Sequence, residues 1–215
     1  MSVIGNTALS FSEEQAMLLD VAREFCKNKS PIAAVRSQLE TDSGYDPALW
    51  DEMVGLGWAG IALPESCGGS GMGVATVVPV VEAMGRAMLG TPLVSTTLAA
   101  QLLLRAAGAG RMDAALAAIA AGATATVALL ENADWGDTRI GCSLGADGAL
   151  RGSKQFVADA AAARLFVVVA EYRGAPALAL VRAEQLAAGA IVPDTLIDQT
   201  KRSARVDFSG VVVAD

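Results

Sequence analysis

The sequence contains no histidine among its 215 residues. Ser–His–Asp triads, Cys–His nucleophile pairs and zinc sites built on imidazole therefore cannot be formed from its own side chains. Proton transfer would have to use Asp, Glu, Lys, Tyr, Cys or a cofactor. We predict no metal site.

Charged residues are also scarce. They make up 18% of the chain, fewer than the roughly 25% of a typical soluble domain, whereas 53% of the residues are hydrophobic. Two explanations stay open: a partner covers much of the surface, or alanine-rich runs such as residues 114–125 inflate the apolar fraction. The net charge is −7 and Lys and Arg are not clustered, so binding to nucleic acid is not expected.

Disulfides, membrane spans and export signals are not expected either. Cys26, Cys67 and Cys142 are odd in number and far apart, which is typical of reduced thiols. No uncharged apolar run reaches the roughly 18 residues of a membrane-spanning helix. Residues 1–15 lack the basic and apolar regions of a signal peptide. We therefore predict a cytoplasmic protein without a membrane span.

Helical signals fill the first half of the chain. Ser12 and Gln15 have the spacing of a capping box, and Asp46 stands before a proline at a first helical position. Further helices are expected near residues 75–89, 94–107 and 111–121. From Ala123 onward, short β-branched runs are separated by Gly, Asp and Pro. The pattern predicts an α+β multidomain fold, with an all-α domain at residues 1–122 and a β-barrel or sandwich at residues 123–215.

Three segments carry possible site chemistry, and each has a simpler structural interpretation. The glycine-rich residues 63–73 could offer backbone amides to a phosphate, although a tight connector is favoured and no Gly-Lys-Ser/Thr follows. The acidic residues 129–137 would repel a phosphate, which favours a solvated turn between strands. Residues 152–159 are typical of an edge strand. No glycine fingerprint joins a strand to a helix, so a Rossmann cofactor site is not expected.

The order of four segments nevertheless resembles the acyl-CoA dehydrogenase family. Residues 55–73 resemble its Pro-Glu and Gly-Gly signature, and residues 128–137, 148–170 and 196–215 resemble its β-domain segments. The resemblance implies an N-terminal helical domain, a middle β domain and a C-terminal four-helix bundle. The 215 residues supply the first two, and the bundle would begin at Asp215.

The resemblance also implies an activity. Members of the family use FAD to dehydrogenate the α,β bond of an acyl-CoA thioester and pass the electrons to a flavoprotein acceptor. The family's catalytic base lies in the bundle, so no catalytic residue is assigned in this chain. Backbone contacts to FAD are expected from a flavin-facing surface, defined here as Leu129, Leu130, Phe156, Val157 and Ala158.

Several side chains depart from the family pattern. Leu130 and Ala158 stand where the family has threonine, Gly136 replaces a serine, and Phe156 replaces a tryptophan. Residues 82–104 and 198–211 resemble bacterial members that degrade steroids and related acids, some of which pair two unlike subunits. We therefore expect a homo- or hetero-oligomer with a full-length dehydrogenase subunit. A catalytic chain that is inactive by itself, a non-catalytic structural partner and a part of a longer protein stay open as alternatives.

Overall fold

The computed structural model describes residues 11–106 and 110–213. Within these residues the helices are α1 (Glu13–Lys29), α2 (Ile32–Gln38), α3 (Pro47–Gly55), α4 (Val78–Arg86), α5 (Leu93–Ala106) and α6 (Asp113–Ala120). The strands follow them: β1 (Ala125–Ala128), β2 (Ser143–Leu144), β3 (Leu150–Arg151), β4 (Ser153–Ala158), β5 (Leu165–Tyr172), β6 (Ala175–Arg182), β7 (Ile191–Pro193) and β8 (Ser203–Asp207). Residues 1–10, which were considered for a signal peptide, and Ala107, which was predicted to be helical, lie outside this range.

The helix starts follow the predicted capping signals. Ser12 Oγ accepts the Gln15 N–H at 3.2 Å, and Gln15 Oε1 accepts the Ser12 N–H at 3.1 Å, which confirms the capping box of α1. Asp46 caps α3 by accepting the Ala48 N–H at 2.9 Å. Both caps satisfy amides that the first helical turn leaves without intrahelical partners.

The helix predicted from residue 75 begins later than expected. A 3₁₀ turn covers Val74–Val77, and α4 starts at Val78. Pro79 explains the shift, because a residue without an N–H fits only in the first turn of an α-helix. The predicted helix is therefore present, but the residues predicted to form its first turn form a 3₁₀ turn instead.

The glycine-rich residues 63–73 form a tight connector. Four consecutive amides, those of Gly69, Ser70, Gly71 and Met72, donate to backbone carbonyls at 3.0, 3.0, 2.8 and 3.1 Å. These N–H groups are satisfied within the protein, so they do not form an anion cradle. The connector interpretation of this segment is the one that the structure supports.

The strands form two sheets that enclose one core. In the first sheet, one edge of β5 pairs antiparallel with β6. The other edge of β5 pairs in parallel with β1 and with β2, and β2 pairs antiparallel with β3. The second is antiparallel, in the order β4-β8-β7. Their shared core contains Leu150, Val157, Phe166, Val206 and Phe208, all at most 1% exposed. The helical half followed by a β sandwich is the predicted fold class.

Hydrogen bonds join the helical domain to the start of the β domain. The Ala125 N–H donates to Thr96 Oγ1 at 3.0 Å, and Trp50 Nε1 donates to the Gly122 carbonyl at 2.8 Å. The division between residues 122 and 123 falls in this link between α6 and β1, and it stays a prediction. Among the described residues, no helix is long and apolar enough to cross a membrane.

Candidate functional site

An ion pair between a fully buried lysine and a partly buried glutamate anchors the loop between β1 and β2. Lys154 of β4 is fully buried, and its Nζ donates to the Leu129 carbonyl at 3.1 Å and to Glu131 Oε1 at 2.5 Å. The Glu131 carboxylate also accepts the N–H groups of Gly141 at 2.7 Å and Cys142 at 2.9 Å. Burial by itself would raise the pKa of Glu131, but these hydrogen bonds outweigh it and lower the pKa. One carboxylate thus holds both ends of the loop.

The acidic side chains further along this loop shape its turn. Asn132 Oδ1 accepts the Asp134 N–H at 2.8 Å, and Asp134 Oδ1 accepts the Gly136 N–H at 2.9 Å. Asp137 accepts hydrogen bonds from Asn132 and Arg139, and those from Arg139 are the main reason that its pKa is well below the usual range. Local side-chain bonds of this kind are typical of turns. The predicted turn is therefore an ordered one.

A β-bulge in β4 turns Phe156 out of the β core. Lys154 pairs with Val206 and Val157 pairs with Ala204, which leaves one extra residue in β4. Phe156 adopts a φ of 51°, unusual for a side chain of this size, and the Gln155 N–H donates to the Leu130 carbonyl at 2.7 Å instead of to β8. As a result, Lys154 and Val157 stay buried while Phe156 faces the other way.

A cleft of 580 Å³ lies where the bulge meets the helical domain. Its volume falls within the roughly 300–1,000 Å³ range of small-molecule sites. One wall is apolar and is formed by α4, α5 and the turn between them. The opposite wall is formed by β4, and the β7–β8 loop closes one side. The residues that line the cleft include Val81, Met84, Met88, Val94, Leu98, Phe156, Ala158, Asp159, Leu196 and Lys201.

The predicted flavin-facing surface lies partly in this cleft. Phe156 and Ala158 line it. Val157 is 1% exposed and packs in the β core, so only its backbone could meet a ligand there. Leu129 and Leu130 lie beside β4, since Lys154 and Gln155 donate to their carbonyls.

Two residues of the cleft were not predicted from the sequence, and Trp135 is the first. Its indole lies against Phe156 with the ring centroids 5.5 Å apart and the planes tilted by 41°. The side chain also lines the cleft, although the residue is 71% exposed. The signal that could have found it is the single aromatic residue of the segment 128–137.

The second is Asp159, which connects β4 to the helical domain. Ser95 Oγ lies 2.6 Å from Asp159 Oδ2 and 3.1 Å from the Pro92 carbonyl. A hydroxyl has one proton to donate, so when Ser95 donates to Pro92, a protonated Asp159 can donate to Ser95. Burial raises the pKa of Asp159 above its ordinary value of 3.8, although the Ser95 bond and the charges of Lys201 and Arg202 act in the opposite direction.

Arg202 fixes the side of the cleft that the β7–β8 loop forms. Its guanidinium donates to the carbonyls of Gln38, Leu39 and Thr41 at the end of α2, at 2.9–3.2 Å. Within its own loop it donates to Gln199 and Lys201. The planar guanidinium suits such a cluster of carbonyls, and it holds the β domain to the helical domain.

The family model for the acyl-CoA dehydrogenase N-terminal domain matches residues 12–137, more than half of the 215-residue chain. The chain belongs to the acyl-CoA dehydrogenase family. The family that the order of the motifs predicted is thereby confirmed.

Three relatives illustrate the match. Acyl-CoA dehydrogenase IpdE2 of Mycobacterium tuberculosis is 40% identical over 98 residues, which are 44% of this chain and 30% of that protein. A variant of the Tcur3481-Tcur3483 steroid ACAD has a TM-score of 0.80 at 28% identity, and the match covers 92% of this chain and 55% of that one. The ChsE4-ChsE5 complex of Mycobacterium tuberculosis shares the fold, with a TM-score of 0.79 at 24% identity over 95% of this chain and 56% of that one.

The side chains of the flavin-facing surface do not fit the polar edge of the isoalloxazine ring that the family implies, because none of them can donate a hydrogen bond. The carbonyls of Leu129 and Leu130 already accept hydrogen bonds from Lys154 and Gln155. Ala158 offers no hydroxyl, and the ring of Phe156 is in contact with the indole of Trp135. In the described ranges, no group of three or more His, Cys, Asp or Glu that could hold a metal ion occurs.

Proposed function

We propose that the chain is a subunit of an acyl-CoA dehydrogenase, in which FAD-dependent α,β-dehydrogenation of an acyl-CoA thioester takes place only in the assembled enzyme. The observation that carries the proposal is the 580 Å³ cleft between the helical and β domains of a family member, lined by apolar side chains on its helical wall. Such a cleft suits a large apolar acyl group.

The chain spans about half the length of the solved structures that it matches, and 30% of the relative named IpdE2. The steroid ACAD and the ChsE4-ChsE5 complex, named above, support a heteromer that acts on a steroid-related or similarly large acyl-CoA. We further propose that the enzyme passes its electrons to a flavoprotein acceptor. We also propose a cytoplasmic location, because the three buried free cysteines suit a reducing compartment.

The base is proposed to lie outside the residues described here. Asp159 is a partly buried carboxyl group at the cleft, but it is already hydrogen-bonded to Ser95 Oγ at 2.6 Å. Asp198, which also lines the cleft, bonds to Thr200 within its own turn. Leu129, Leu130 and Phe156–Ala158 are proposed to correspond to the surface that meets flavin in the family.

The experiment is to assay acyl-CoA oxidation with an artificial electron acceptor. We expect no turnover by the purified chain and turnover by the complex formed when it is co-expressed with a full-length dehydrogenase subunit of the same host. The reason is that base and flavin contacts are both incomplete in this chain. Oxidation of any acyl-CoA by the homogeneous chain alone would contradict the proposal, as would a failure to associate with any such subunit.

A second candidate function is that of a structural partner without a role in substrate binding. The contact between Trp135 and Phe156 favours it, because the indole lies against a residue on which the cofactor of the family would lie. Leu98→Trp in the complex distinguishes the two roles, since Leu98 lines the cleft. A turnover at least about tenfold lower than with the exposed control Val21→Trp would assign acyl binding to this cleft, and equal rates would assign the structural role.

A further inference from the structure

The indole of Trp135 and the ring of Phe156 form one aromatic unit at the cleft. The centroid distance of 5.5 Å lies within the range of favourable aromatic pairs. Both side chains line the cleft, and Ala158 lies beside them on β4. Trp135 therefore lies against Phe156, one of the residues of the surface that the family motif assigns to flavin.

The backbone on both sides holds this contact in place. Trp135 lies between Asp134 and Gly136, whose side chain and N–H bond to each other at 2.9 Å. The loop is anchored at its base by the bond between the buried Lys154 and Glu131. On the other side, the bulge in β4 directs Phe156 toward the indole. The pair thus depends on two independent local structures, the loop that carries Trp135 and the bulge that carries Phe156.

The chemistry of the surface suits an indole better than a flavin. An isoalloxazine ring has polar edges that need hydrogen-bond partners, and burying them without partners is unfavourable. Leu130, Gly136 and Ala158 provide no side-chain donor, and the carbonyls of Leu129 and Leu130 each accept a hydrogen bond from β4. An indole has a single N–H, and Trp135 is exposed enough to keep it in water.

We propose that Trp135 is a built-in occupant of the flavin-facing surface and excludes the isoalloxazine ring from this chain. This inference rests on the proposed function, because it places the flavin of the assembled enzyme in the other subunit. An acyl group held in the cleft of this chain would then be oxidised by a flavin that the other subunit binds.

The test is a titration of the complete chain with FAD, followed by the quenching of flavin fluorescence. The variants are Trp135→Gly, Trp135→Gly combined with Ala158→Thr, and the control Trp135→Phe, which keeps an aromatic ring on Phe156. We expect little binding by the wild type and Trp135→Phe. Trp135→Gly should bind at least about tenfold more tightly, and the added hydroxyl of Ala158→Thr should tighten binding further.

Two results would overturn the inference: stoichiometric FAD binding by the wild type, or a double variant that binds no better than the wild type although its circular dichroism is unchanged. Either result leaves the proposed dehydrogenation standing. A complex that oxidises no acyl-CoA would instead contradict the proposed function. The titration would still show whether Trp135 excludes the isoalloxazine ring.

Discussion

Asp159 has an environment that opposes its ionisation. Burial raises its pKa above 3.8, so between that value and its folded pKa the folded state binds more protons than the unfolded state. Stability therefore falls as the pH rises through this interval, the opposite sign to that of a carboxyl group with a lowered pKa.

Asp159→Asn should remove this pH dependence. The amide can donate to Ser95 Oγ at every pH and carries no charge to desolvate. We expect the free energy of unfolding of the variant, relative to wild type, to increase as the pH is raised from 4 to 7. Urea unfolding at several pH values measures it, and a difference that does not change with pH would show that Asp159 ionises freely in the folded protein.

Residues in the loop between β1 and β2 illustrate what the sequence could and could not predict. Residues 129–137 are predicted as a turn, and the structure confirms a turn. The partner of Glu131 is Lys154, 23 residues away, and no local pattern indicates that this lysine is fully buried. The contact of Trp135 with Phe156 likewise depends on a bulge, which pairing between strands determines.

At the scale of elements, the glycine-rich connector between α3 and α4 gives a sharp contrast between two glycines. A Cβ on Gly69 would overlap the carbonyl oxygen and Cβ of Leu63, whereas a Cβ on Gly73 would meet nothing within 4 Å. Backbone atoms cannot move aside cheaply, so only the first position requires glycine for space.

Gly69→Ala should therefore lower the free energy of unfolding by about 3 kcal/mol. Gly73→Ala is the matched control, because its backbone is extended and a side chain there should leave stability unchanged or raise it by up to about 1 kcal/mol. Thermal and urea unfolding compare the two variants. Equal effects would show that the connector is not packed as described.

The elements themselves were predictable where one local signal dominates. The capping box of α1 and the proline after Asp46 place two helix starts correctly. The start of α4 was misplaced because apolar periodicity continues through the 3₁₀ turn before Pro79. The parallel pairing of β1 with β5 was not predictable, since the two strands are far apart in sequence and the pairing depends on their shared core.

At the scale of the whole molecule, the succession of domains carries more information than any one motif. Residues 129–137 alone indicate only a turn, but in their order after residues 55–73 they identify the family. The cleft arises only when both domains fold and the links through Asp159 and Arg202 form. The sequence order therefore predicts the family, whereas the state of the cofactor surface depends on side chains that the fold brings together.

The central claim is that this chain is a flavin-free subunit of a flavin-dependent dehydrogenase. The most direct measurement is the visible absorbance spectrum of the purified chain and of its complex with the full-length subunit, with flavin quantified after denaturation. The account predicts no flavin in the isolated chain and one flavin for each pair of unlike subunits. A flavin bound to the isolated chain, or two flavins for each pair, would contradict it.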